Sequence, residues 1–258
     1  MLRKITILII YFLLIGLVGC SNNSDDNVTS TDVPMPNIEI ITKPTEPEHS
    51  ELYLEGYSQE QILSYFEEVV LRMEYSDGTG DESVVQKWLY PIYYQIYGSY
   101  TDSDIFKLSE LFEQLNNIDG FPGIYLVSDM VMENLTINFL SPNDFAIQFS
   151  DAVHGEDAYG AAQFWYYTET NELYTARIGY RTDLDQLTRD SIILEEIVNI
   201  LGLSDSELRT DSIVYQYSNS NLELSDVDVL ILKLLYNPRI ECGMNYDECA
   251  EIIKELYY

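Results

Sequence analysis

An α+β domain with a mixed, twisted sheet is predicted by three features of the sequence. Apolar residues recur at helical spacing over 59–74, 102–117 and 184–202, β-branched and aromatic runs lie between them, and capping signals open several of the helices.

Each element has its own warrant. Ser58 followed by Gln61 is a capping box, and Ile62, Phe66, Val69, Val70 and Met73 share one helix face, so a helix over 59–74 is expected. The Gly-containing stretch from Ser76 to Asp81 ends it. The run from Trp88 to Tyr97 reads as strand, and Pro91, which lacks an N–H, marks either an edge strand or a strand that begins there. A helix over 102–117 presents Ile105, Leu108, Leu111, Phe112 and Leu115 on one face. Strands follow near 124–128 and 135–140, then a hairpin over 163–180 turning through Thr168 to Asn171. A helix over 184–202 stops at Gly202, and two further helices start at the Ser225/Asp228 and Asn245/Glu248 boxes. No internal repeat is visible.

Composition bounds the function. The 258 residues carry 44 acids against 13 bases, a formal net charge of −31, with 46% hydrophobic residues and 22 Tyr. That is one folded domain with extensions, since a disordered acidic chain lacks the apolar side chains that offset ordering entropy. A chain this acidic repels phosphate backbones, so nucleic acid is excluded as a partner, and anionic membrane surfaces are disfavoured. Two histidines, His49 and His154, cannot build a metal site that needs three.

The N-terminus carries an address. A basic start (Arg3, Lys4), an apolar run from Ile5 to Val18 and then Gly19-Cys20 read as a secretion signal, too short to span a bilayer. Leu17-Val18-Gly19-Cys20 resembles the lipobox of bacterial lipoproteins. That resemblance implies a signal peptide over 1–19, diacylglyceryl lipidation of Cys20, and an extracytoplasmic location anchored to the cell membrane by two acyl chains. Residues 20–50, with Pro34, Pro36, Pro44 and Pro47, read as a tether, leaving a single domain over 51–258. His49 in the tether is given no role.

Two clusters are ambiguous from spacing alone. Cys242 and Cys249 are expected to form a disulfide in an oxidising compartment rather than a metal pair, because six intervening residues do not have the usual zinc-ligand form. Tyr93, Tyr97 and Tyr100 are either packing residues of a strand or an aromatic surface suited to stacking on sugars.

The segment Ile192-Ile193-Leu194-Glu195-Glu196-Ile197-Val198-Asn199-Ile200-Leu201-Gly202-Leu203-Ser204-Asp205 is the one stretch that could carry chemistry. It resembles the helix of metzincin zinc peptidases, in which His-Glu-x-x-His binds zinc and Leu-Gly-Leu precedes a third ligand. Laid on that pattern, Glu195 and Asn199 hold the two histidine positions, Glu196 the general-base position and Asp205 the third ligand position. A closer resemblance is to an uncharacterised bacterial family, the domain of unknown function numbered 2927. It rests on Glu195-Glu196, Leu201-Gly202-Leu203, Asp211-Ser212-Ile213, Leu235-Tyr236-Asn237-Pro238-Arg239 and Gly243-Met244, with Lys87-Trp88 and Asn134 in the N-terminal half. The resemblance implies a zincin-like fold and no established activity.

The chemistry opposes a zinc peptidase. Carboxylate and amide oxygens are hard ligands that suit calcium or magnesium, and without zinc nothing brings the pKa of a bound water toward 7. Glu195, Glu196, Asn199 and Asp205 are then a solvated helix face, a polar network in a relic cleft, or the ligands of a calcium-like cation. No zinc cofactor is expected. The expectation is a zincin-like binding module without catalysis, taking a protein, peptide or cell-wall ligand. Two alternatives stay open: a hydrolase using Glu196 with an oxygen-ligated cation, and a purely structural envelope lipoprotein.

Overall fold

A computed structural model of the chain describes residues 50, 52–72, 83–127, 132–150, 158–218 and 220–258. All of them fall in one compact unit, Pro47–Tyr258. The expected signal peptide, Cys20, the tether, His49 and His154 lie outside the described residues.

The fold is mixed α/β, a largely parallel sheet flanked by helices. Its elements are α1 (Gln59–Leu71), β1 (Lys87–Trp88), β2 (Ile92–Gly98), α2 (Asp102–Asn116), β3 (Ile124–Leu126), β4 (Leu135–Leu140), α3 (Pro142–Gln148), β5 (Gly160–Tyr166), β6 (Glu172–Arg181), α4 (Gln186–Asn199), α5 (Asp226–Leu235) and α6 (Tyr246–Leu256). Strands β3, β2, β4 and β6 lie side by side, all parallel. The short β1 pairs the start of β6, at Lys87↔Glu172 and Trp88↔Leu173, in line with β4. Strand β5 runs antiparallel along the other side of β6 and forms the sheet's edge among the described residues. The hairpin between them turns at Asn171, in the left-handed region with φ 58° that Asn tolerates better than most side chains.

The helix starts follow the sequence. Ser58/Gln61, Ser225/Asp228 and Asn245/Glu248 are complete capping boxes, and Thr101/Asp104 is a fourth. Three details differ from expectation. The strand expected over 88–97 is two strands, because the segment Leu89–Tyr90–Pro91 leaves the ladder. Strand β2 begins just after Pro91 and is interior, paired on both sides, so the edge-strand alternative fails. Helix α3 was not anticipated, although Ser141 as N-cap, Pro142 in the first turn and Asp144 spell a helix start. Helix α4 is shorter than 184–202: it starts after the N-cap Asp185 and ends in a turn where Gly202 N–H donates to Asn199 O and Leu203 N–H to Val198 O.

Strand side chains alternate between two faces. Ile92, Leu135, Ile137, Phe139, Ala176, Ile178 and Tyr180 face the main core with Ile193, Ile197, Val198, Ile231 and Leu235 from the helices. A second, small cluster of Phe145, Phe149 and Ala161 places α3 against one corner of the opposite face.

Candidate functional site

The C-terminal half of helix α4 is packed on most sides: Ile192, Ile193, Leu194, Ile197 and Val198 are all buried. Two adjacent acids on so packed a turn cannot both face water, and the expectation of a solvated face is overturned for Glu196, which is 8% exposed, while Glu195 and Asn199 are half-buried. Its carboxyl lies over the edge strand, where a Cβ on Gly160 would come 2.6 Å from Glu196 Oε1 and 2.4 Å from Ile192 Cγ2. Only a residue without a side chain fits there, so Gly160 is a part of the site that the sequence reading missed.

The structure brings the four sequence-selected residues together. Asn199, in the last turn of α4, donates from Nδ2 to Asp205 Oδ1 at 3.4 Å across the Gly202 turn. Gly202 makes that turn possible, with φ 104° and no room for a Cβ, which would meet the Gln86 carbonyl oxygen at 2.3 Å. Glu195 and Glu196 have no hydrogen-bond donor to their carboxyls among the described residues. Burial, with the charge of Asp205 added, raises the Glu195 pKa from 4.5 to about 8. Burial raises Glu196 well above the ordinary carboxyl range, with Glu195 and Asp205 adding to the effect. Tyr180, beneath them, donates to Ile193 O at 3.3 Å; burial and then the two glutamates suppress its ionisation. The result is a partly buried acid cluster with no basic side chain among the described residues, in which burial favours the protonated carboxyl, a hydrogen-bond donor.

Zinc, which the peptidase resemblance implies, does not fit this donor set of carboxyls and an amide. Among the described residues no group of three or more His, Cys, Asp or Glu is arranged to hold a metal ion. The Oδ1 of Asn199 is buried with no partner among the described residues and so asks for a ligand.

The remaining signature residues do structural work at helix ends. Trp88 Nε1 donates to Ile200 O at 2.7 Å and Tyr236 Oη to Leu201 O at 3.0 Å, satisfying carbonyls where α4 ends. Lys87, 5% exposed, donates to Leu235 O at 2.8 Å, Asn237 O at 3.5 Å and Ile240 O, so its ammonium closes the C-terminal end of α5. Ser212 is fully buried, taking a hydrogen bond from Tyr65 Oη at 2.6 Å and giving one to Asp228 Oδ1 at 2.5 Å. Residues 243 and 244 pair with Val85 through Gly243 N–H to Val85 O and Val85 N–H to Met244 O, both 2.9 Å.

Cys242 and Cys249, expected as a bridge, are both free thiols in the structure. Cys242 Sγ points at the Lys87 carbonyl, 3.7 Å away, while Cys249 is buried on the inner face of α6. Burial pushes the Cys249 thiol up to about 12 and raises Cys242, which keeps both protonated. A cavity of about 410 Å³ beside them is lined by Lys87, Tyr236 and Cys242, and another of about 420 Å³ lies between α2 and β3; neither reaches the α4 acids.

A comparison with the curated proteins finds no match. A family model described as a protein of unknown function, DUF2927, matches residues 59–255. That span runs from the first residue of α1 into the last turn of α6 and takes in both the acid cluster and the helix-end contacts, so the chain belongs to the DUF2927 family.

Proposed function

We propose that this chain is a lipid-anchored, extracytoplasmic binding module of zincin-like build, which takes an extended protein, peptide or cell-wall segment between the edge strand β5 and the end of α4. The observation that carries the reading is Glu196, buried against Gly160 with the half-buried Glu195 beside it, both without a hydrogen-bond donor among the described residues at the edge of a sheet. Buried carboxyls without donors are expensive, and a purely structural role offers no return for keeping them. With its pKa raised by burial, Glu196 is the poorer general base and the better hydrogen-bond donor, which suits capture of carbonyl groups. An edge strand with free N–H and C=O groups pairs readily with an extended ligand. The hairpin β5–β6 and helix α4 also agree with the zincin resemblance, and Cys20 supplies the anchor.

The unpartnered Asn199 Oδ1 favours a second reading, a hydrolase in which Glu196 works beside an oxygen-ligated cation. Metal analysis of the purified full-length protein, with thermal melts in chelator, calcium and zinc, separates the two. The binding-module reading expects no bound metal and no ion-dependent shift in the melt. Stoichiometric calcium that is lost in Asp205→Ala would replace it with the second reading, because a tight ligand raises the melting temperature by mass action.

A further inference from the structure

The sheet's other face is chemically unlike the rest of the molecule. In a chain with 44 acids, strands β2, β3, β4 and β5 contain no Asp or Glu, and β6 contains only Glu172 at its start. The alternation that buries Ile92, Ile137 and Ile178 turns the side chains in between to this face. Helix α3 covers one corner, where the Phe149 ring packs over Gly179. The remainder is open among the described residues: Tyr125 is 48% exposed, Tyr97 43% and Trp165 42%.

Register sets out the open part in rows. Gln95, Thr136, Arg177 and Gln163 are consecutive partners across β2, β4, β6 and β5, a line of planar amides, a hydroxyl and a guanidinium. At one end of the neighbouring row Tyr93 pairs with Tyr125, their rings 6.4 Å apart; at the other, Trp165 pairs with Thr175. Tyr93 and Trp165 are three strand spacings apart, about 14 Å at ~4.8 Å each, the length of a short oligosaccharide. The Arg177 guanidinium sits 5.0 Å from the Phe149 ring and 5.9 Å from the Trp165 ring, and its Nε donates to Gln163 Oε1 at 2.5 Å. No carboxylate pairs with it among the described residues, although acids outnumber bases more than three to one in the chain.

We propose that this face is a second binding site, taking an uncharged oligosaccharide laid across β2, β4, β6 and β5. Aromatic rings at both ends stack on the apolar faces of sugar rings, and the polar row between them hydrogen-bonds the hydroxyls. Charge selects this occupant over others. A net charge of −31 opposes a polyanion and a second copy of the same chain, while strands almost free of acids, with Glu133 at the rim taking a hydrogen bond from Tyr97 Oη at 3.0 Å, suit a neutral, hydroxyl-rich ligand.

Calorimetric titration of the full-length protein with cellohexaose, chitohexaose and polygalacturonate tests the assignment. A neutral hexasaccharide is expected to bind. Tyr125→Ala and Trp165→Ala should each weaken it by about threefold to tenfold, the value of one aromatic stacking contact. Tyr246→Ala, exposed on α6, should leave binding unchanged. Fluorescence provides a readout without substitution. Of the two tryptophans Trp88 is buried and Trp165 is exposed, so bound sugar should shift emission to the blue. The assignment fails if neither neutral hexasaccharide binds or shifts the emission. It also fails if binding survives the double substitution, or if polygalacturonate binds more tightly than both.

Discussion

Asp104 and Asp228 are fully buried and fully served. Asp104 accepts from Thr101 N–H at 2.7 Å, Gln186 Nε2 at 2.9 Å and Arg189 Nε at 2.7 Å; Asp228 accepts from Ser212, Ile213 and Ser225. Although burial pushes Asp104 upward, the hydrogen bonds from Gln186, Thr101 and Arg189 win and hold its pKa below the ordinary value. Glu196, buried, and Glu195, half-buried, have no donor among the described residues and move the other way. Both aspartates hold the N3 position of a capping box, so the local motif that starts α2 or α5 also anchors a contact across the molecule. Burial of an acid therefore says little by itself; the donors around it separate an architectural carboxylate from one held ready for something else.

The sharpest way to break this contrast is to remove the cation from the satisfied site. Arg189→Met leaves Asp104 charged and buried, and should lower stability by about 3–5 kcal/mol in urea unfolding. Lys87→Met, which orphans the carbonyls at the end of α5, should cost about 2–3 kcal/mol in the same measurement.

The glutamates should show the opposite sign. A carboxyl whose folded-state pKa is raised stabilises the fold fully below its ordinary value near 4.5, and that contribution is lost as pH rises through about 8 for Glu195. Unfolding free energy is accordingly expected to fall between pH 5 and pH 9. Glu196→Gln should flatten that slope and raise stability at pH 8 by on the order of 1–2 kcal/mol, with little change at pH 5. A profile that rises with pH in the wild type would show that these acids are ionised and paired. The smallest effect expected is that of reductant. With Cys242 and Cys249 as free thiols, reductant should leave the melting temperature unchanged, whereas a bridge closing this short loop would contribute roughly 2–3 kcal/mol.

Local signals were readable in the sequence and long-range ones were not. The boxes at Ser58, Ser225 and Asn245 mark their helices because an N-cap and its partner lie three residues apart. The start at Ser141-Pro142 is equally plain, although the helix it opens has only seven residues and too few turns to show an apolar period. Glu195, Glu196, Asn199 and Asp205 could be grouped from helix spacing and one glycine turn. The burial of Glu196 could also have been read, since Ile192, Ile193, Ile197, Val198, Ile200 and Leu201 leave the end of α4 little wet surface. Gly160 against Glu196 and Asp104 against Arg189 join residues 36 and 85 positions apart, and no local pattern reports such a pairing. The interior place of β2 was hidden for the same reason: Pro91 speaks for the residue at which a strand starts, and nothing nearby says which strands flank it.

The parallel ladder has a consequence in time. The Lys87↔Glu172 pairing closes a loop of some 85 residues, and Tyr257 Oη reaches back to Leu54 O and Tyr57 O while Gln59 Nε2 donates to Lys254 O and Tyr257 O. Helix α1 therefore finds part of its hydrogen-bonding company only after nearly two hundred further residues have left the ribosome. Until then its apolar face, with Ile62, Phe66 and Val69, waits uncovered. Such a chain folds slowly and late. If it crosses a membrane before it folds, that delay keeps it threadable, and its dense negative charge keeps the waiting chains apart.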